Sequence, residues 1–331
     1  MNDQTWNPGK LLELSGYYWK TCTLHAGVKL DVFTAVGEGF SAAGAVARKA
    51  GCDRRAIERL LDALVAMGLL VKQDGTYGNT PASAEFLSKD SAKYIGYMIM
   101  HHHHLVESWA RLDRAVKTGQ PQRSRTSFSD EQRRESFLMG MFNLAMNLAP
   151  RIVPLIDLSG RRRLLDLGGG PGTYAIFFCK GNPDLKATVF DLPTTRPFAE
   201  KTIARMDMAD RVAFADGNFI ADDISGKYDV IWMSHILHGE GPEDCRMIIR
   251  KAVSALQPGG MIIVHEFILD NSMDGPLFPA LFSLNMLLGT DAGQAYSEKQ
   301  LVEMFTDAGV NDIQRLRFDS PNDSSLLIGT V

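Results

Sequence analysis

One stretch, Leu164-Leu165-Asp166-Leu167-Gly168-Gly169-Gly170-Pro171-Gly172-Thr173, combines an apolar β-prone run, an acid and a glycine cluster that opens a helical pattern. Gly168 and Gly170 permit positive φ and carry no Cβ, so a ligand can lie against the backbone there. A dinucleotide site wants a third glycine three residues after the second, to bring a helix N-terminus onto pyrophosphate. Counted from Gly170 that position is Thr173, and Pro171 removes one amide donor from the loop. Asp166 just ahead of the glycines would repel pyrophosphate and attract an ammonium group. The bland alternative is a tight strand-to-helix turn with no ligand.

The methionyl part of S-adenosylmethionine carries such an ammonium, and two further stretches fit its nucleoside. Asp191, followed by Leu192, ends the β-prone run ATVFDLP, where a carboxylate can grip a ribose diol. The competing role for Asp191 is to cap the helical pattern TTRPFAEK. In Gly217-Asn218-Phe219, Asn218 can accept a hydrogen bond from an adenine amino group and Phe219 can stack on the ring. Here the alternative is a plain turn.

These residues need a scaffold, and the pattern supplies one. From Arg163 onward RLLDL, ATVFDL, RVAFA, YDVIWM and MIIVHEFIL alternate with helical runs such as RPFAEKTIARM, EDCRMIIRKAVSAL and SEKQLVEMFTDAG. Alternation of this kind implies an α/β, mostly parallel, Rossmann-like sheet covered on both faces. DIQRLRF and SLLIGT around SPNDS predict an antiparallel hairpin at one edge. Upstream, Leu11 to Val36 reads as one amphipathic stretch. Phe40 opens a short helix stopped by Gly51, and Asp53 caps a third helix closed by Gly68. Asp74-Gly75 then joins LLVKQ to TYGNT as a hairpin, which is the winged-helix order. Helical segments follow from Ala92 to Lys117 and from Ser136 to Ile156, the second bent or ended by Pro150 and Pro154, with a polar connector between them.

The chain has 331 residues and a formal net charge of −4, so two domains are expected and the basic excess of a nucleic-acid binder is missing. Its four cysteines form no close pair, which predicts free thiols in a reducing compartment. Neither a secretory start nor an 18-residue apolar run is present, so the expected location is cytoplasmic, with no membrane span.

In order, LLDLGGGPGT, VFDLP, DGNF, SHILHGEGPEDC, LQPGGMIIVHEFIL and GQAYSEKQL resemble the small-molecule O-methyltransferases of the caffeic acid, hydroxyindole and polyketide-tailoring type. The resemblance covers nearly the whole chain. It implies a winged-helix-like dimerisation domain over 1–121, a connector and helical segment lining the acceptor pocket over 122–160, and a seven-stranded S-adenosylmethionine domain over 161–331. It also implies a homodimer acting on a small-molecule acceptor. By the same resemblance Asp191 is the ribose acid, Asn218 stands where the family usually has Asp beside adenine, His238 is the general base and Glu266 one of the acids that orient it. Departures are His238-Gly239-Glu240 where the family often reads His-Asp-Trp, Ala295 at the register of a second orienting acid, and Ser234 where plant relatives carry Lys.

The residues support the same chemistry on their own account. Methyl transfer to a hydroxyl needs the acceptor deprotonated, and an imidazole suits that task near neutral pH. His238 follows the fourth strand of the sheet, and Glu266 ends the fifth, so the pair can meet at the sheet rim. His235 reads as a buried, satisfied side chain. His265 points to the other sheet face from Glu266 by strand alternation, and so reads as structural. Within His101-His102-His103-His104 only His101 and His104 share a helix face; with no acid or thiol nearby, no metal site is expected. Met141, Phe142, Asn285 and Met286 are the expected pocket walls, Asn285 orienting the acceptor. Three alternatives stay open: a carbon, nitrogen or sulfur acceptor on the same fold; a DNA-binding regulator, which the mixed charges of Arg54, Arg55 and Arg59 against Asp53, Glu58 and Asp62 argue against; and a nicotinamide dehydrogenase, which the loop spacing argues against.

Overall fold

In the computed structural model, residues 5–125 and 131–331 are described. Residues 126–130, part of the expected connector, lie outside them. The chain divides into two units, Met1–Leu105 and Val106–Val331.

The first unit follows its turn chemistry closely. Pro8 and the Asn7 side chain, which accepts from the Lys10 amide, start α1 (Pro8–Gly16). The stretch expected to be continuous is broken into α1, α2 (Tyr18–Lys29) and α3 (Val32–Val36). Asp31, at φ 57°, turns the chain between the last two. Phe40 opens a short strand, β1 (Phe40–Ala42), and only then does α4 (Ala43–Ala50) begin, to end at left-handed Gly51. Asp53 caps α5 (Arg54–Ala66) by accepting from the Ala56 amide. Asp74 and Gly75 both take positive φ, as a two-residue hairpin turn requires, between β2 (Leu70–Gln73) and β3 (Thr76–Asn79). The sheet order is β1-β3-β2. Phe33, Leu61, Leu64 and Tyr77 form its core. Next come α6 (Pro81–Phe86) and α7 (Gly96–Trp109), and the boundary between units falls inside α7.

The second unit takes in the end of α7 and continues with α8 (Leu112–Thr118) and α9 (Glu131–Ile152), with Pro150 in the last turn of α9 and Pro154 in the tight turn that ends it. Strands and helices then alternate: β4 (Arg163–Leu167), α10 (Thr173–Gly181), β5 (Lys186–Asp191), α11 (Arg196–Arg205), β6 (Val212–Asp216), β7 (Tyr228–Ser234), α12 (Pro242–Ala255), β8 (Leu256–Phe267), α13 (Leu277–Gly289), α14 (Glu298–Asp307), β9 (Asn311–Arg317) and β10 (Ser324–Thr330). The seven strands lie in the order β6-β5-β4-β7-β8-β10-β9. β4 to β8 pair in parallel, and β10 runs antiparallel to both β8 and β9, which is the sheet and edge hairpin expected from the sequence.

Side-chain alternation assigns each functional residue a face. Leu164, Trp232 and Ile263 pack into one apolar layer, and Leu165, Met233 and Val264 into the other. Asp166, Ser234 and His265 therefore share the first face, whereas Glu266 lies on the second. The chain departs from β4 in both directions across the sheet, to β5 on one side and β7 on the other. Open α/β sheets bind ligands at the carboxyl ends of strands beside such a switch.

Candidate active site

Left-handed turns at Gly168, Gly170 and Gly172 fold the loop after β4 back over Asp166. A Cβ on Gly168 would lie 2.6 Å from the Ile236 side chain, and one on Gly169 would lie 2.5 Å from Cγ of Asp166. Those two glycines thus answer to the protein's own packing. Gly170 alone of the three faces open space, with nothing within 4 Å of its Cβ position. Asp191 braces the loop: Oδ2 accepts from the Gly170 amide at 2.8 Å, while Oδ1 accepts from the Leu192 amide at 2.7 Å and Thr195 Oγ1 at 3.0 Å.

Asp166 is fully buried. Its Oδ2 accepts from the Ala175 amide at 3.2 Å, but Oδ1 has no partner, and neither has the buried Oγ1 of Thr173. Burial pushes the Asp166 carboxyl up to about 7, against the pull of the Ala175 hydrogen bond and with help from the charge on Asp191. The unfolded chain holds this proton less tightly, so stability contributed by the neutral acid is present below about pH 3.8 and is lost as pH rises through about 7. An unpartnered acid oxygen and hydroxyl beside an open glycine fit a ligand that brings its own donors.

Asn218 spends Oδ1 on its own turn, accepting from the Ile220 amide at 2.9 Å and the Ala221 amide at 3.4 Å. Of its amide, Nδ2 is the group left for a ligand. The Phe219 ring lies beside Gly168, 3.3 Å from that glycine's Cβ position. Ser234 Oγ bonds His265 Nδ1 at 2.9 Å, and His265 Nε2 bonds Ser324 Oγ at 3.0 Å. Burial holds His265 well below the usual imidazole range, so it is a neutral strut across the sheet.

On the other face, His238 Nδ1 meets Glu266 Oε2 at 2.7 Å. Glu266 Oε1 accepts from the backbone amides of Leu237 and His238 at 3.0 and 3.3 Å. Burial would raise the Glu266 carboxyl, but His238 and His235 outweigh it and hold the group well below the usual carboxylate range. A carboxylate can only accept, so Nδ1 of His238 carries the hydrogen and Nε2 the lone pair. No described residue hydrogen-bonds Nε2. The His238 ring meets Phe282 edge to face at 4.7 Å between centroids, and Phe282 packs on Phe267 at 4.6 Å. Phe278 closes the group, 4.9 Å from Phe267.

His235 departs from the sequence expectation of a buried, satisfied side chain: it is only part-buried and its Nδ1 has no hydrogen-bond partner. It lies just past the end of β7 with φ 57°, its ring packs on His265 and Phe267 at 4.3 and 4.2 Å between centroids, and its Nδ1 comes within 3.5 Å of Glu266 Oε2 without a hydrogen bond. A non-glycine residue in that region costs of order 1–2 kcal/mol and persists where its surroundings over-determine it. Burial lowers its pKa. Among the described residues, His235, His238 and Glu266 form the one group of three with metal-ligand spacing, and Glu266 there is already engaged by four donors, the amides of Leu237, His238 and Phe267 and the Nδ1 of His238.

Of the expected pocket walls, Asn285 and Met286 lie buried on α13, the helix that carries Phe282. Asn285 Oδ1 accepts from Arg123 Nη2 at 2.9 Å and Trp109 Nε1 at 3.3 Å. Phe142 on α9 is instead engaged by Arg205 of α11, whose guanidinium sits 4.7 Å from the ring centre, and Met141 is half-buried beside it in sequence. Ala295, at the register of a second orienting acid, is buried, and its amide donates to Ser283 Oγ. Glu240 is buried in a two-pronged pair with Arg125 at 2.5 and 2.8 Å.

Residues 109–311 match the O-methyltransferase domain family, and residues 12–89 match the O-methyltransferase dimerisation domain family. The chain belongs to the O-methyltransferase family. This O-methyltransferase is 34% identical to the 3-hydroxy-5-methyl-1-naphthoate 3-O-methyltransferase of Streptomyces sahachiroi, over 97% of this chain and 95% of the relative. It is 31% identical to the tetracenomycin polyketide synthesis 8-O-methyl transferase of Streptomyces glaucescens, over 97% and 96%. It superimposes on the crystal structure of human N-acetylserotonin methyltransferase in complex with S-adenosylmethionine with a TM-score of 0.87 at 25% identity, over 100% and 99% of the two chains. The O-methyltransferase uses S-adenosylmethionine, and the first unit, whose helix-helix-hairpin order left a DNA-binding alternative open, is a dimerisation domain.

Proposed function

We propose that the enzyme methylates a hydroxyl on an aromatic or polyketide-derived small molecule, with His238 as general base. The observation that carries this is the His238–Glu266 contact, which fixes the tautomer and leaves Nε2 without a hydrogen-bond partner among the described residues. The bound cofactor supplies a methyl group on a sulfonium. His238 Nε2 takes the proton from the acceptor hydroxyl as the oxygen becomes nucleophilic, and the Glu266 carboxylate stabilises the imidazolium that results. Phe267, Phe278 and Phe282 offer flat apolar faces beside the imidazole, which suits an aromatic ring and excludes water. The two bacterial relatives act, by their names, on a hydroxynaphthoate and a polyketide.

For the cofactor, the open side of Gly170 and the unpartnered Oδ1 of Asp166 suit the methionyl ammonium. Gly168, Leu192, Phe219 and Ser234 line the same strand ends, Asn218 Nδ2 serves the adenine, and Asp191 takes the ribose with the acceptor capacity left after its three loop bonds. Calorimetry with S-adenosylmethionine is expected to show affinity weakened about tenfold or more in Asp191→Ala, because both a ligand contact and the Gly170 brace are lost. Unchanged affinity would remove Asp191 from the site. Labelled cofactor with phenolic acceptors should place the methyl on oxygen; a label on carbon, nitrogen or sulfur overturns the hydroxyl assignment.

The first unit supports a homodimer. None of α1 is buried, and Trp6, Leu12, Tyr18 and Trp19 are exposed, an apolar surface that a second copy would cover. Sedimentation is expected to give twice the 36.5 kDa of one chain, and a monomer at micromolar concentration would refute it. Four free cysteines accord with a cytoplasmic location, and no helix among the described residues is long and apolar enough to cross a membrane.

A further inference from the structure

Among the described residues, Arg123 is held on α13 by neutral groups alone. Nη2 donates to the backbone oxygen and to Oδ1 of Asn285, at 3.0 and 2.9 Å. The backbone amides of Gln122 and Arg123 both donate to the Leu288 oxygen, at 2.8 and 3.1 Å. A Cβ on Gly289 would lie 1.9 Å from Nη1, so the guanidinium occupies a seat that only glycine leaves open. Nε is buried without an acceptor, and no described carboxylate pairs with the group. Burial lowers its pKa to about 10, so it remains a cation at neutral pH. Two residues on, Arg125 shows the contrast, neutralised by both oxygens of Glu240.

A partly desolvated cation with a buried, unpartnered Nε and no counter-ion among the described residues carries a cost, and a ligand anion is the usual remedy. The surrounding donors agree. Asn285 Oδ1 accepts from both Arg123 and Trp109, which fixes the amide and leaves Nδ2, a second donor, beside the guanidinium. The place agrees too. Phe282, against which the His238 ring packs, and Asn285 are three residues apart on α13 and share a face, with Gly289 one turn further. Along the helix axis the guanidinium thus stands about 5–10 Å from the station of the imidazole.

We infer that Arg123 is the recognition residue for a carboxylate carried by the methyl acceptor, on the same ring system as the hydroxyl and roughly 5–10 Å from it. This rests on the proposal that His238 marks the reacting hydroxyl. The planar fork of arginine matches a carboxylate, so the enzyme prefers the free acid to its neutral ester.

The test compares a hydroxynaphthoic acid, with hydroxyl and carboxyl on different ring carbons, with its methyl ester. In the wild-type enzyme kcat/KM is expected to favour the acid by about tenfold or more, chiefly through KM, and in Arg123→Gln the ratio falls to about one. Arg123→Lys, which keeps the charge and loses the fork, should fall between and serves if the Gln variant does not fold. An ester used as well as the acid by the wild type overturns the inference. So does a variant that loses both substrates alike, the mark of a strut. If neither probe is methylated, calorimetry of the acid on the S-adenosylhomocysteine complex decides. Binding lost in the variant upholds Arg123 and sinks the hydroxyl-methylation proposal instead; binding absent from the wild type, or equal in both, overturns Arg123.

Discussion

His238→Ala is expected to lower turnover on a phenolic acceptor by about 10³-fold while cofactor affinity stays within about twofold. The separation follows from the sheet. The loop after β4, with Asp166, Gly170 and Asp191, is the cofactor seat proposed above, and its bonds run among residues 166–195. His238 is reached from β7 and β8 instead, through Leu237 and Glu266, and shares no hydrogen bond with that loop. Removing the imidazole should leave the cofactor seat intact and take away only the proton acceptor. A phenol ionises near pH 10, so at neutral pH about one molecule in 10³ is already the phenolate, and that fraction sets the residual rate. The loss should accordingly shrink as the assay pH is raised. Full activity in the variant at pH 7 would show that the acceptor needs no base. A matching loss of cofactor binding would show that His238 acts through the fold.

What could be read in the sequence, and what could not, divides along chain distance. Strand-helix alternation, the Asp53 cap and the Asp74-Gly75 hairpin are local, set by propensity and φ within a few residues, and they appear as expected. The opposite faces of His265 and Glu266 were legible for the same reason, since alternation along β8 is fixed by its pleat. The rule stops at Ser234, because the left-handed backbone of His235 breaks the pleat just past the end of β7. The stretch from Leu11 to Val36 looked continuous because its breaks rest on single residues, Asp31 foremost, whose left-handed turn no periodicity announces. Arg123 and Asn285 are 162 positions apart, and Arg125 and Glu240 are 115 apart. No local pattern couples such pairs. The glycine loop is legible as a loop from its residue types, but the need for glycine at 168 and 169 comes from Ile236 and Asp166, and only Gly170 is left facing open space.

Glu266→Gln should be nearly as damaging as loss of His238, and for a reason specific to its neighbours. Both oxygens of Glu266 act as acceptors, Oε1 from the amides of Leu237 and His238 and Oε2 from His238 Nδ1 and the Phe267 amide. An amide has one oxygen. With that oxygen toward Leu237, its NH₂ faces Nδ1 and drives the imidazole to the tautomer whose Nε2 carries hydrogen and cannot take a proton. With the oxygen toward His238, the NH₂ meets two backbone N–H donors in a buried site. Either way kcat is expected to fall by about 10²–10³-fold, and a buried donor left unmatched costs about 1–3 kcal/mol of stability. The pH dependence separates these effects. Glu266 is held below its ordinary value of 4.5, so the stability it contributes is present above that pH and is lost as the solution is acidified. The variant should therefore unfold well below wild type at pH 7, and the gap should narrow as pH falls below about 4.5. A gap of constant size across that range would mean that Glu266 is not an ionised partner of His238. A Gln variant with near wild-type kcat would mean that the tautomer of His238 is set by something other than this carboxylate.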